Sequence, residues 1–88
     1  MPEVIHGIVR DQHGAPLAEA RVYFAGGPVP LPDVAAMTDA TGTFQLTAPV
    51  PGTYSIQCTL AGGQSDSRSV TVTPSTRATV VFDMTVDG

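Results

Sequence analysis

The chain has 88 residues, of which 42% are hydrophobic and 14% charged, and its net charge is −4. A chain of this length forms one domain, here residues 1–88, and buries only about 60% of the surface that its unfolded form exposes, so no deep enclosed active site is expected. The four positive charges are scattered along the sequence, which argues against nucleic acid and anionic membranes as partners.

Several residue types and segment types are missing from the sequence. Cys58 is the only cysteine, so no disulfide can form within the chain. Lysine and asparagine are absent, which excludes Schiff-base chemistry and N-glycosylation sequons. No apolar run approaches the roughly 20 residues that span a bilayer, and the start of the chain has no signal-peptide features. We therefore expect no membrane insertion.

Short runs of β-branched and aromatic residues recur along the whole chain, separated by clusters of Gly, Pro, Asp and Ser. This spacing is typical of a β-sandwich and not of alternating strands and helices. The sequence predicts an all-β fold with seven strands: Val4–Arg10, Ala20–Ala25, Val34–Thr38, Thr43–Ala48, Thr53–Leu60, Ser67–Thr73 and Ala78–Met84.

Apolar and polar residues alternate within these predicted strands. Because strand side chains point to opposite faces with a period of two, alternation shows which residues face inward. The pattern predicts two antiparallel sheets packed face to face. The side chains assigned to the inner faces are Val22, Phe24, Phe44, Leu46, Tyr54, Ile56, Cys58, Leu60, Val70, Val72, Val80, Phe82 and Met84.

Two tetrapeptides between predicted strands have the composition of tight turns. Residues 11–14 and 39–42 each begin with Asp and end with Gly. An Asp side chain accepts hydrogen bonds from the backbone of its own turn, and Gly tolerates the left-handed conformation. We expect both segments to be tight reversals.

Five spaced motifs follow one another along nearly the whole chain. They are Gly7-x-Val9-x-Asp11-x-x-Gly14-x-Pro16-Leu17-x-x-Ala20-x-Val22, Thr38-Asp39-x-x-Gly42-x-Phe44-x-Leu46, Pro51-Gly52-x-Tyr54-x-Ile56, Val70-x-Val72 and Val80-x-Phe82-x-Met84. Their order and spacing resemble the carboxypeptidase regulatory-like domain family. The resemblance implies a transthyretin-like, seven-stranded antiparallel Greek-key β-sandwich. It also implies a non-catalytic module that stabilises, spaces or docks other parts of a larger protein.

Two histidines raise the question of catalysis or metal binding. Transthyretin-like hydrolases of 5-hydroxyisourate carry a catalytic His on the first strand and end in Tyr-Arg-Gly-Ser, which this chain lacks. We interpret His6 as a surface or edge-strand residue, because one His without an orienting partner is not a general base. His13 is interpreted as a solvated turn residue, since no cluster of further metal ligands accompanies it.

Three other reactive side chains have structural explanations. Asp11 and Asp39 could contribute oxygen ligands to calcium, but an Asp that caps its own turn explains both. Cys58 shares its face with Tyr54 and Ile56 and is expected to behave as a small buried hydrophobe. We expect no enzymatic activity, no cofactor and no metal.

One segment between the second and third predicted strands alternates proline with apolar residues. Alternating proline favours a stiff, extended conformation that loses little entropy on docking. The candidate partner-binding residues are therefore Pro28, Val29, Pro30, Leu31, Pro32 and the outward-facing Tyr23. The alternative is that the segment is a stiff crossover whose side chains fold onto the sandwich.

The leading functional hypothesis is a structural or protein-docking module of a larger assembly, which contacts a protein partner or a neighbouring domain. Because no lysine protects the sheet edges, we expect at least one edge to be covered by a neighbouring domain, by another copy of the chain in a homo-oligomer or by an added partner strand. Carbohydrate or small-ligand binding is the alternative, although Tyr23 alone makes a poor aromatic platform. A transthyretin-like hydrolase is a distant third. If the chain is part of a longer protein, the resemblance implies an extracellular or cell-surface location.

Overall fold

A computed structural model describes residues 3–31, 35–75 and 77–86 of the chain. All seven predicted strands are present within these residues; the fourth and seventh have the predicted ends, and the ends of the other five differ by one or two positions. Val34, the predicted start of the third strand, lies outside the described residues. The strands are β1 (Glu3–Asp11), β2 (Arg21–Gly26), β3 (Ala35–Met37), β4 (Thr43–Ala48), β5 (Gly52–Thr59), β6 (Ser65–Val72) and β7 (Ala78–Met84).

The strands form two sheets, one of three strands in the order β4-β1-β7 and one of four in the order β3-β2-β5-β6. The predicted β-sandwich is confirmed. One pairing departs from the antiparallel prediction, because β1 and β7 run in parallel, from Ile5 beside Ala78 to Asp11 beside Met84. The other pairings are antiparallel. Alternation of side chains indicates which face is buried but contains no information on the direction of a neighbouring strand.

The core lies between the two sheets and follows the alternation of the sequence. In β5 the buried side chains are Tyr54, Ile56 and Cys58, and in β7 every second residue from Ala78 to Met84 is buried. Of the predicted inward residues, Phe24 and Leu60 are only partly buried, although both pack against the core. In the part of the chain that the structure describes, no helix is long and apolar enough to cross a membrane.

Both predicted Asp-Gly turns are confirmed by their hydrogen bonds. In the first turn, Asp11 Oδ1 accepts from the backbone N–H groups of His13 and Ala15 at 2.8 and 2.9 Å. In the second, Asp39 Oδ1 accepts from Thr41 and Thr43 N–H at 2.9 and 3.1 Å. Gly42 has a φ of +75°, and a Cβ there would lie 2.5 Å from the carbonyl oxygen of Val9. The turn therefore needs glycine for both conformation and space.

A buried threonine joins the loop after β1 to the end of β3. Thr38 is 4% exposed, and its hydroxyl donates to the carbonyl oxygen of Leu17 at 2.6 Å while accepting from Ala20 N–H at 2.9 Å. The backbone of Thr38 also bonds to Glu19 and Ala20. One side chain thus satisfies two backbone groups that burial would otherwise leave unpaired.

Candidate contact surfaces

The proline segment, defined as residues 27–31, lies directly against the sandwich. A Cβ on Gly52 would be 2.7 Å from Cγ of Pro28, and a Cβ on Gly27 would be 2.8 Å from the ring of Tyr54 and 3.0 Å from Leu31. Both glycines are therefore needed for this close approach. The contact between Pro28 and Gly52 joins two segments that are distant in the sequence, so it depends on the fold.

The contacts divide the proline segment into packed and exposed side chains. Leu31 packs against the hydrophobic core and, like Val29, is half-buried. Pro28 and Pro30 are exposed. The sequence singled out Val29 and Leu31 as apolar contacts for a partner, whereas the structure places both partly within the domain. Pro32, which follows this segment and was also a predicted contact, lies outside the described residues.

Tyr23 lies on the outer face of the four-stranded sheet, as its position in the alternation predicts. Its hydroxyl is 3.5 Å from Oγ1 of Thr59, and it borders a shallow depression of about 370 Å³ together with Arg21, Ala35 and Thr59. The buried or half-buried rings of Phe24, Phe44, Tyr54 and Phe82 face the core. Neither of the described pairs of aromatic rings includes Tyr23, so its ring stands alone on this face.

Three of the described edge strands, β3, β4 and β6, differ in how they are protected. β3 has only three residues. β6 directs the charged side chains of Asp66 and Arg68 toward the other sheet, with Arg68 Nη1 2.6 Å from Asp66 Oδ2. The guanidinium of Arg68 lies 5.8 Å from the centroid of the Phe82 ring. Inward-pointing charges are one means by which edge strands avoid pairing with other chains. In contrast, β4 has six residues without a charge and pairs only with β1 among the described strands.

His6 lies on the outer face of β1, which is the central strand of its sheet. Its description as a surface residue fits this position, but the edge-strand alternative is wrong, because β4 and β7 flank β1. Nδ1 of His6 is 3.4 Å from Nε2 of Gln45. The depression beside it measures about 580 Å³ and also includes Asp39, whose carboxylate is engaged by Thr41 and Thr43. These contacts give His6 no carboxylate to orient it as a base.

The surroundings of the remaining candidate residues, Cys58 and His13, agree with structural roles. Cys58 is fully buried, and burial, assisted by the negative charge of Asp66, raises the pKa of its thiol to about 11, which opposes formation of a reactive thiolate. His13 is exposed in its turn, as predicted. Within the described ranges, no group of three or more His, Cys, Asp or Glu side chains is placed to hold a metal ion.

The sandwich and its shallow surfaces define a module of the immunoglobulin-like or prealbumin type. A sequence model of the carboxypeptidase regulatory-like domain matches residues 4–85, and the chain belongs to this family. The resemblance found in the sequence is thereby confirmed. Domains of this family are non-catalytic modules. No curated protein matches the chain.

Proposed function

We propose that the domain is a structural and protein-docking module that contacts a partner protein through the proline segment. The observation that carries the proposal is the packing of Pro28 on Gly52 and of Leu31 beside Gly27 and Tyr54. This packing holds the segment against the sandwich while Pro28 and Pro30 stay exposed. A segment that is already ordered loses little conformational entropy when a partner binds.

Affinity capture with variants of the full chain tests this proposal. Val29→Ser combined with Pro30→Ser changes the segment and leaves the packed Leu31 in place. Pro74→Ser is the matched control, because Pro74 is also an exposed loop proline but follows β6. Partners that are recovered by the control and lost with the double variant support docking through the segment. Equal recovery by both variants contradicts it.

The free edge of β4 is the second proposed contact. It is longer than β3 and lacks the inward charges of β6, so its backbone groups are accessible to an added strand. The mass of the chain should rise with concentration in light scattering, and Thr47→Lys on β4 should prevent this rise. Ser69→Lys on β6 is the control and should leave it unchanged. A monomer at all concentrations contradicts association of copies through this edge.

A further inference from the structure

The first and last strands of the domain are neighbours and point in the same direction. β1 and β7 pair at seven register positions, from Ile5 with Ala78 to Asp11 with Met84. Because the pairing is parallel, β1 begins at one end of the sandwich and β7 finishes at the other. Eight residue steps along β1 separate Glu3 from the level of Met84, which corresponds to roughly 26 Å at the usual rise of a strand.

This arrangement decides how the domain responds to tension between its two ends. Pulling on Glu3 and on Met84 moves β1 and β7 along their own axes in opposite directions. The ladder between them is then sheared, so its hydrogen bonds resist together. If the same two strands were pulled apart from one shared end, the bonds would open one after another, and each would resist alone.

Side chains strengthen this ladder where β7 ends. Nε of Arg10 lies 2.6 Å from Oδ1 of Asp83. Beyond the last register position, the amide of Gln12 donates to the carbonyl oxygen of Val86 at 2.9 Å and accepts from its N–H at 3.0 Å. These two hydrogen bonds extend the attachment between the ends of β1 and β7 to Val86, two residues beyond Met84.

The buried side chains of β1 and β7 also oppose sliding of the two strands. The side chains of Ile5 and Val9 on β1 and of Phe82 on β7 are fully buried. Sliding of either strand would draw these side chains past the tightly packed residues of the other sheet. β1 is also held by β4 along its opposite side, at six register positions.

We infer that the domain is a tension-bearing element, in which the parallel ladder of β1 and β7 and the Gln12–Val86 pair form the mechanical lock. The inference concerns a different surface from the proline segment and does not depend on docking. The order of the strands then has a mechanical role. A force applied to the two ends of the domain acts along β1 and β7, which is the direction in which the hydrogen bonds between these strands resist together.

Single-molecule force spectroscopy on the full chain tests the inference. In the first geometry, reference domains of known unfolding force are attached to residues 1 and 88. In the second, the attachment points are the introduced thiol of His13→Cys and residue 88, so that β1 and β7 are peeled from their shared end. Cys58 is buried and does not compete for attachment. We expect a severalfold higher unfolding force in the first geometry, and equal forces would overturn the inference.

Two substitutions at exposed positions test the role of Gln12. Gln12→Ala removes both bonds to Val86, whereas Thr53→Ala removes a 3.2 Å hydroxyl contact to Thr71 across β5 and β6. Gln12→Ala should lower the end-to-end unfolding force and Thr53→Ala should not. If both variants unfold at the force of the unchanged chain, Gln12 is not part of the lock. Circular dichroism confirms that each variant is folded, and the results of affinity capture do not bear on either outcome.

Discussion

The ring of Phe44 fills the space that a side chain on Gly7 would occupy. The two residues are register partners on β1 and β4, and both face the core. A Cβ built on Gly7 would overlap three atoms of the Phe44 ring, of which Cζ is the nearest. Phe44 also packs against Phe82, with ring centroids 6.2 Å apart. Glycine on β1 thus allows a large aromatic ring from β4 to cross the strand and reach the last strand.

Gly7→Ala should therefore destabilise the domain by about 1–3 kcal/mol, because the added methyl group overpacks the core. Urea unfolding monitored by circular dichroism measures the change. The substitution should be better tolerated in a Phe44→Leu background, where the ring is absent. Additive effects of the two substitutions would contradict the proposed contact, since residues in contact show a coupling energy.

Thr38→Val should lower the free energy of unfolding by about 1–3 kcal/mol. The replacement has nearly the same shape but leaves Ala20 N–H and the Leu17 carbonyl without their partner. Thr38→Ser keeps the hydroxyl and is the matched control. In hydrogen exchange, the amide of Ala20 should lose protection only in the Val variant, and equal protection in both variants would argue against the bond.

The two tyrosines should respond differently to loss of the hydroxyl group. Tyr54 is fully buried, and its hydroxyl donates to the carbonyl oxygen of Val50 at 2.5 Å. Tyr54→Phe should lower the unfolding free energy by about 1 kcal/mol, because it removes a partly buried hydrogen bond. Tyr23→Phe removes only the 3.5 Å contact with Thr59 and should have little effect in the same thermal or urea titration. The opposite order would contradict this assignment.

Asp39 should make stability depend on pH in the acidic range. Hydrogen bonds from Thr41 and Thr43 hold the pKa of its carboxyl at about 2, below its usual value of 3.8. Because the folded-state pKa is depressed, the stabilisation is present above pH 4 and is lost as pH falls toward about 2. The urea midpoint should decline in this window, and Asp39→Asn, which keeps an oxygen acceptor, should decline less. Parallel pH profiles for the two proteins would refute the role of the ionised carboxylate.

The features that were predicted from the sequence are those encoded by neighbouring residues. Alternation in β5 and β7 indicated the buried face, and the Asp-Gly tetrapeptides indicated the two turns, because each depends on backbone geometry over a few residues. The parallel pairing of β1 with β7 and the central position of His6 depend on how distant segments meet. Neither is encoded in local patterns.

The candidate contact surfaces show the same division. The composition of the proline segment predicts a stiff conformation, but it does not predict the packing. Pro28 contacts Gly52, which lies 24 positions later in the sequence. Thr38 was part of the family pattern without a visible reason. Its role becomes clear only when Leu17 and Ala20 are brought to either side of its hydroxyl.

The parallel course of β1 and β7 also limits how the order of the strands can be rearranged by circular permutation. Joining residue 3 to residue 84 requires a linker that runs the length of the sheet, about eight extended residues for roughly 26 Å, whereas neighbouring antiparallel ends would need only a short turn. New ends could be opened in the exposed hairpin at Gly62 and Gly63, where β5 turns into β6. Such a permutant would keep the ladder but place both of its strands inside the chain.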